Sequence, residues 1–172
     1  ALGFAPGLAR NVGNILAFTG HDVQKEYYIN DSGRQIETLG RSVFLRYRAL
    51  FGMSVDFPDT CYQGDYIFDL AKDLREEKGD RLLEEPEEAA VLYCARMAAD
   101  RILSGIRSDL EAFGVTFDRW FSEQTLYDDN KVLSLIESLR KRDLVYEKDG
   151  ALWFRTTLSG DEKDRVVLRQ NG

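Results

Sequence analysis

Apolar residues recur along this chain at helical and at strand spacing. Leu8, Val12, Ile15, Leu16 and Thr19 fall on one helical stripe, and Gly20 follows as a helix-ending residue. From Asp22 to Ile29 the character changes. Val23, Tyr27, Tyr28 and Ile29 are the β-branched and aromatic residues of a strand. Asn30-Asp31-Ser32-Gly33 breaks it, and Ser32 with Gln35 three positions on has the form of a capping box. Ile36, Leu39, Val43, Tyr47 and Leu50 then make one helix face, closed by Gly52. Helix, strand and helix in that order predict part of an α/β layer with a parallel sheet.

Ser54 to Gln63 reads as a loop around Pro58. Gly64 to Glu77 reads as a helix with Tyr66, Ile67, Leu70, Ala71 and Leu74 on one side. Pro86 lies in an acidic stretch, Glu84 to Glu88, that suits the first turn of a helix through its fixed φ and the macrodipole. The long helix that follows places Val91, Ala95, Ala98, Ile102, Ile106, Leu110 and Phe113 inward, and Gly114 ends it. Val115 to Phe121 is a strand candidate. Lys131 to Arg142 is an amphipathic helix with Val132, Leu135, Ile136 and Leu139 inward. Leu144 to Arg155 alternates around Asp149-Gly150, the strongest short hairpin signal, and Val166 to Leu168 adds a third strand after a charged turn.

The 172 residues suit one large domain or two small ones. No stretch approaches the roughly eighteen apolar residues of a membrane span, and Ala1 to Phe18, interrupted by Arg10 and Asn11, does not read as a signal peptide. Cys61 and Cys94 are too few and too far apart for a disulfide framework or a zinc site, which makes a reduced, cytoplasmic setting the expectation. The formal net charge of −7 repels phosphates on average. Nucleic-acid contact would then need a local basic patch.

Five features carry candidate chemistry. Asn30, Asp31, Gly33 and Gln35 form a polar turn at the carboxyl end of the predicted parallel strand, where open α/β sheets bind ligands. The same residue types also simply make a turn and cap a helix. His21, the only histidine, reads as a surface residue at a helix-to-strand turn. The acidic run at 84–88 reads as a solvated first turn, because it lacks the alternating oxygens of a calcium loop. Trp120 and Trp153 offer stacking faces, but their alternating surroundings favour packing. Arg140-Lys141-Arg142 either complements a helix C-terminus or contacts nucleic acid, since helix plus hairpin is also how a winged-helix binder is built.

Four runs carry a family resemblance. Glu26-Tyr27-Tyr28-Ile29-Asn30-Asp31-x-Gly33-x-Gln35, continuing to Leu39-Gly40-x-Ser42 and Arg46-Tyr47, is the first. Tyr62-x-Gly64-Asp65-Tyr66-Ile67 is the second. Phe117-Asp118-x-Trp120-Phe121-Ser122-Glu123 with Leu126-Tyr127 is the third. The fourth runs from Tyr146-Glu147-Lys148-Asp149-Gly150 through Thr157, then Gly160-Asp161 and Lys163-Asp164-Arg165-Val166-Val167. In order and spacing they resemble arginyl-tRNA synthetases, class I aminoacyl-tRNA synthetases, over about residues 20 to 169.

The resemblance implies a parent enzyme that activates arginine with ATP and Mg2+ and transfers it to tRNA(Arg). This chain departs from the full pattern. With His21 alone it cannot hold the family's His-x-Gly-His motif, and it has no Lys-Met-Ser-Lys-Ser-like loop. It is therefore expected to be an internal fragment lying between the two ATP-binding signatures. No catalytic residue, no metal site and no bound cofactor are expected within it. The fold implied is a partial Rossmann-like strand-helix portion (residues 1–52) followed by a helix-rich α+β insertion domain with a small antiparallel meander (residues 53–172). Asn30, Asp31, Gly33 and Gln35 would face the substrate cleft, and Arg140, Lys141 and Arg142 are candidate tRNA contacts. Residues after about 53 are expected to form the compact body, with the first 52 less protected. Strand 23–29 would offer an exposed edge for self-association. The competing reading is a stand-alone nucleic-acid-binding module with a winged-helix-like C-terminal half, and the net charge argues against it.

Overall fold

The computed structural model describes residues 4–170. It is a mixed α/β chain with one parallel strand pair and one antiparallel triple. Two compact units divide it, 1–123 and 124–172. These do not coincide with the 1–52 and 53–172 division expected from the sequence.

In the first unit, α1 (Phe4–Phe18) leads to β1 (Glu26–Ile29) and α2 (Arg34–Leu50). Then come α3 (Asp65–Lys78), α4 (Glu87–Ala112) and β2 (Arg119–Ser122). β1 and β2 pair in parallel, Glu26 opposite Arg119 through Ile29 opposite Ser122. Both strands are shorter than their sequence patterns suggest. The side chain of Asp118 explains this: it accepts the Lys25 N–H at 2.7 Å, so the ladder stops there.

The core lies among the helices. Leu39, Val43, Phe44 and Tyr47 of α2 pack with Ile67, Leu70, Ala71 and Leu74 of α3 and with Ala90, Cys94 and Ala98 of α4. α2, which lies within the first 52 residues, thus shares its core with α3 and α4. α2 carries a buried stripe at helical spacing, and that stripe is covered by helices beyond residue 53. Tyr47 is fully buried and its hydroxyl donates to the Gly79 carbonyl at 2.6 Å, tying the end of α2 to the end of α3. Gly40 lets α2 and α4 touch: a Cβ there would lie 2.4 Å from the Val91 carbonyl oxygen and 2.6 Å from the Ala95 Cβ.

Three local expectations are corrected. The capping box does not form, because α2 starts at Arg34 with Gly33 as its N-cap at φ 76, and no side chain caps it. Gln35 then sits one position too early to reach back. Pro86 is the N-cap of α4 rather than part of its first turn, which holds Glu87 and Glu88. The second half of α4 is not buried as its pattern implies. Ile102, Ile106 and Leu110 are half-buried and Phe113 is 78% exposed. α4 runs 26 residues against 17 for α2 and 14 for α3, so it outlasts its cover.

In the second unit, α5 (Gln124–Asp128) and α6 (Lys131–Lys141) precede the meander β3 (Val145–Lys148), β4 (Ala151–Phe154) and β5 (Arg165–Leu168). Asp149 and Gly150 take φ 53 and 70, the two positive values of a type I′ hairpin. Ile136, Val145 and Leu152 form a small core with Val132, Leu139 and Phe154. Leu135, expected inward, is 60% exposed, because this core accepts only the stripe 132, 136 and 139. The connection from β4 to β5 is clasped by two aspartates. Asp164 accepts from the Tyr146 hydroxyl at 3.0 Å and from the Thr157 N–H and hydroxyl at 3.1 and 2.8 Å. Asp161 takes both forks of Arg165 at 2.8 and 2.9 Å, which holds its carboxyl down at about 2.

Candidate functional site at the end of the parallel pair

The carboxyl ends of β1 and β2 converge on one polar corner. Asp31, the second residue past β1, accepts the Ser122 hydroxyl at 2.6 Å across 91 residues of sequence. The Glu123 N–H donates to the Ile29 carbonyl at 3.0 Å and carries the pairing one step beyond β2. Behind the strands, Tyr27 stacks on Trp120 with ring centroids 4.6 Å apart, and Phe117 meets both rings edge-on. The Arg107 guanidinium lies 4.4 Å from the Trp120 centroid. This aromatic block fixes the angle at which the two strand ends present their polar residues.

A cavity of about 260 Å³ opens at this corner. β1 and its turn line it through Tyr27 to Asp31, α2 through Ile36 and Leu39, and α4 through Ala99, Ile102, Leu103 and Ile106. Ile102 and Ile106, half-buried on α4, are therefore part of its wall. A few polar groups set in an apolar wall are the usual make-up of a small-molecule site.

Of the four turn residues singled out in the sequence, Asn30 and Asp31 line the cavity. Gly33 and Gln35 do not: Gly33 turns the chain into α2, and Gln35 is exposed on its first turn. Ser122 was not among the predicted site residues. Its signal was present, a small polar residue closing an aromatic strand, but only the strand pairing reveals its partner. Arg140, Lys141 and Arg142 are all exposed at the end of α6, and Arg140 pairs with Glu147 at 3.3 Å. His21 is exposed, with Nδ1 3.2 Å from the Thr19 hydroxyl. Trp120 and Trp153 are half-buried, and the Trp153 indole N–H donates to the Lys148 carbonyl. Glu87 of the acidic run pairs with Arg48 at 3.6 Å.

Among the described residues, no three histidine, cysteine, aspartate or glutamate side chains converge as a metal site. None of the described helices is long and apolar enough to cross a membrane.

Ser122→Ala should loosen the corner. Removing a hydroxyl donor from a part-buried carboxylate costs about 1–2 kcal/mol. The expected result is a lower melting temperature with faster amide exchange at Glu123. Unchanged exchange there would mean that the bond does not hold the two strand ends together.

No family model matches the chain. The chain is 54% identical over 161 residues to an arginine–tRNA ligase of Citrifermentans bemidjiense, a match that takes in 94% of this chain and 29% of the relative. It is 43% identical over 173 residues to the arginine–tRNA ligase of Geobacillus thermodenitrificans, covering 99% of this chain and 31% of that one. A crystal structure described as an arginyl-tRNA synthetase from Campylobacter jejuni superposes with a TM-score of 0.83 at 33% identity, over 99% of this chain and 38% of its own. The resemblance carried by the four runs is borne out, and the chain spans about three tenths of the length of the curated relatives it matches.

Proposed function

We propose that this chain, homologous along nearly all its length to arginine–tRNA ligases, works as one segment of such an enzyme, joining arginine to tRNA(Arg) at the expense of ATP with Mg2+ in the cytoplasm. The observation that carries the reading is the 54% identity sustained over 161 residues, far more than a shared fold requires. In this reading the parallel pair with α1 and α2 is a portion of the Rossmann-like catalytic core. The helical layer and meander belong to its insertion.

The corner built by Asn30, Asp31 and Ser122 then borders the substrate cleft. Asn30 supplies an exposed amide that both donates and accepts. Asp31 supplies a carboxylate oriented by Ser122 toward a basic or hydroxylic ligand group. Gly33 and Gln35 act at the edge of that corner, shaping the turn rather than lining the cavity. Arg140, Lys141 and Arg142 lie on the unit assigned to the tRNA side. Both open edges of the two-stranded sheet are places where further strands add, from the rest of a larger sheet or from a second copy.

A chimera tests the reading. Exchanging this chain for the matching segment of the Citrifermentans bemidjiense ligase should leave arginylation of tRNA measurable. A folded chimera that does not charge tRNA refutes it. The 172-residue chain alone should not catalyse arginine-dependent ATP–pyrophosphate exchange. It lacks the paired histidines and the lysine loop that supply preorganised charge for adenylate formation. Exchange above a no-protein control would contradict that expectation.

A further inference from the structure

The acidic surplus of the chain is confined to one of its units. Residues 124–172 carry nine basic and nine acidic side chains, so the whole net charge of −7 falls in residues 1–123. Part of that surplus stands on the rim of an apolar groove between α2 and α4.

The groove holds about 560 Å³ and adjoins the close crossing of the two helices: Val91 and Ala95, which Gly40 meets, also line it. The helices run in opposite senses, since Gly40 meets Ala95 while Arg48, further along α2, reaches back to Glu87. Ile36 and Val91, both half-buried, and Leu92, 51% exposed, supply its apolar surface. Glu37, one turn before Gly40, stands toward the Ala95 end, and Glu88 stands at the other. Glu88 and Ala95 are about 10 Å apart along α4, or two turns. Among the described residues neither Glu37 nor Glu88 forms an ion pair, whereas Glu87 does, with Arg48. Arg41 is the only cation in the lining. Both walls are helices, whose backbone groups are already bonded within each helix, so an occupant is held through side chains. That rules out an added strand and favours a helix laid in the groove, anchored by aliphatic side chains on one face.

We propose that this groove docks a cationic amphipathic helix of a partner protein. Aliphatic side chains of the partner rest on Ile36, Val91 and Leu92, and a lysine or arginine at each end, two turns apart, meets Glu37 and Glu88. Charge complementarity selects this occupant: the unit that carries the groove is acidic, so its field draws in a basic segment. A second copy of the same unit carries the same surplus and is repelled by it. Arg41 opposes the partner's cations and limits how basic the helix can be.

Fluorescence anisotropy of the whole chain with a short labelled alanine-based helical peptide, carrying leucines at i+3 and i+4 between lysines at i and i+7, tests the proposal. Saturable binding is expected at low salt, and none when glutamates replace the lysines or a proline breaks the helix. Glu37→Gln and Glu88→Gln should each weaken binding about two- to fivefold, the worth of one exposed ion pair. Arg41→Glu should tighten it by about the same factor or more. Leu92→Ser should weaken it about tenfold through lost apolar contact. Glu111→Gln, which removes an exposed carboxylate at the far end of α4, should change nothing. A loss there equal to that of Glu37→Gln would show diffuse charge and overturn the site. No binding by the parent chain, or equal binding of the proline-broken peptide, would overturn the docked helix. If Leu92→Ser shifts the thermal melt, the glutamate variants and Arg41→Glu decide, and parent-like binding by all three overturns the proposal. A dimer of the chain alone in sedimentation, dissolved by Leu92→Ser, would assign the groove to a second copy instead. A chimera that charges tRNA but no longer binds the peptide would show the ligase's own chain in the groove and overturn a separate partner. A ligase reading that fails shows up separately, as a chimera that binds the peptide but does not charge tRNA.

Discussion

Gly40→Val should be the most damaging single substitution on the α2–α4 contact, lowering stability by about 3 kcal/mol or more, at or above the upper end of ordinary overpacking. The first added carbon alone would sit 2.4 Å from the Val91 carbonyl oxygen, 2.6 Å from the Ala95 Cβ and 2.9 Å from the Ala95 nitrogen. Two of these three neighbours are backbone atoms of α4, which cannot rotate aside. The helices must separate, and the buried set Val43, Tyr47, Cys94 and Ala98 would then lose its fit. Because a domain is stable by only about 5–15 kcal/mol, a loss of this size should be plain in a urea or thermal melt.

Gly105→Ala is the matched control. That glycine lies within α4, and an added Cβ meets nothing within 4 Å. Alanine there should stabilise by about 0.5–1 kcal/mol through helix propensity and a less flexible unfolded chain. If Gly40→Val melts within error of the parent, the close crossing of α2 and α4 is wrong. If Gly105→Ala destabilises as much as Gly40→Val, the cost belongs to the helix and not to the crossing.

The contrast between these two glycines also marks what the sequence can and cannot disclose. Both interrupt helical patterns. Only the partner helix, some fifty residues further on, distinguishes a position with no room from one with room to spare. Patterns with a local cause were legible: the type I′ turn at Asp149-Gly150, the α2 stripe through Val43 and Tyr47, and the order of the meander. Where a distant segment decides the outcome, periodicity fell short. Ile102 and Ile106 look like core on α4 but wall a cavity, because α2 and α3 are shorter. The strand at Val23 to Ile29 shrank to four residues because Asp118 ends its ladder. At the site, the turn after β1 was visible as a run of polar residues, and Asn30 and Asp31 do line the cavity. Ser122 could not be tied to Asp31 without knowing that β2 lies beside β1. Net charge misled in the same way, being a property of the whole chain read onto a unit that has none.

Raising the pH should unfold the first unit earlier than its surface charges imply, and Cys94 is the reason. Its side chain is fully buried among α2, α3 and α4, and that burial pushes the thiol from 9.0 up to about 12. In the unfolded chain the thiol ionises near its ordinary value. The folded state therefore binds more protons between the two values. Stability is fully present below about 9 and declines as the pH climbs toward 12. Three pH units correspond to about 4 kcal/mol at the upper limit, a large share of the total. Tyr47 adds to the loss in the same direction, because burial also raises its hydroxyl above 10.0 and ionisation would remove the donor that holds the Gly79 carbonyl. Cys94→Ala should cost about 1 kcal/mol at neutral pH for lost packing, yet flatten the alkaline arm of the stability profile, leaving the Tyr47 share. The two profiles should converge or cross as the pH rises. Denaturant melts of both proteins at a series of alkaline pH values check this, with iodoacetamide labelling of Cys94 as a second readout. Parallel profiles for the two proteins, or labelling of Cys94 near pH 9 while the chain is still folded, would show that the thiol is not shielded by the α2–α3–α4 core.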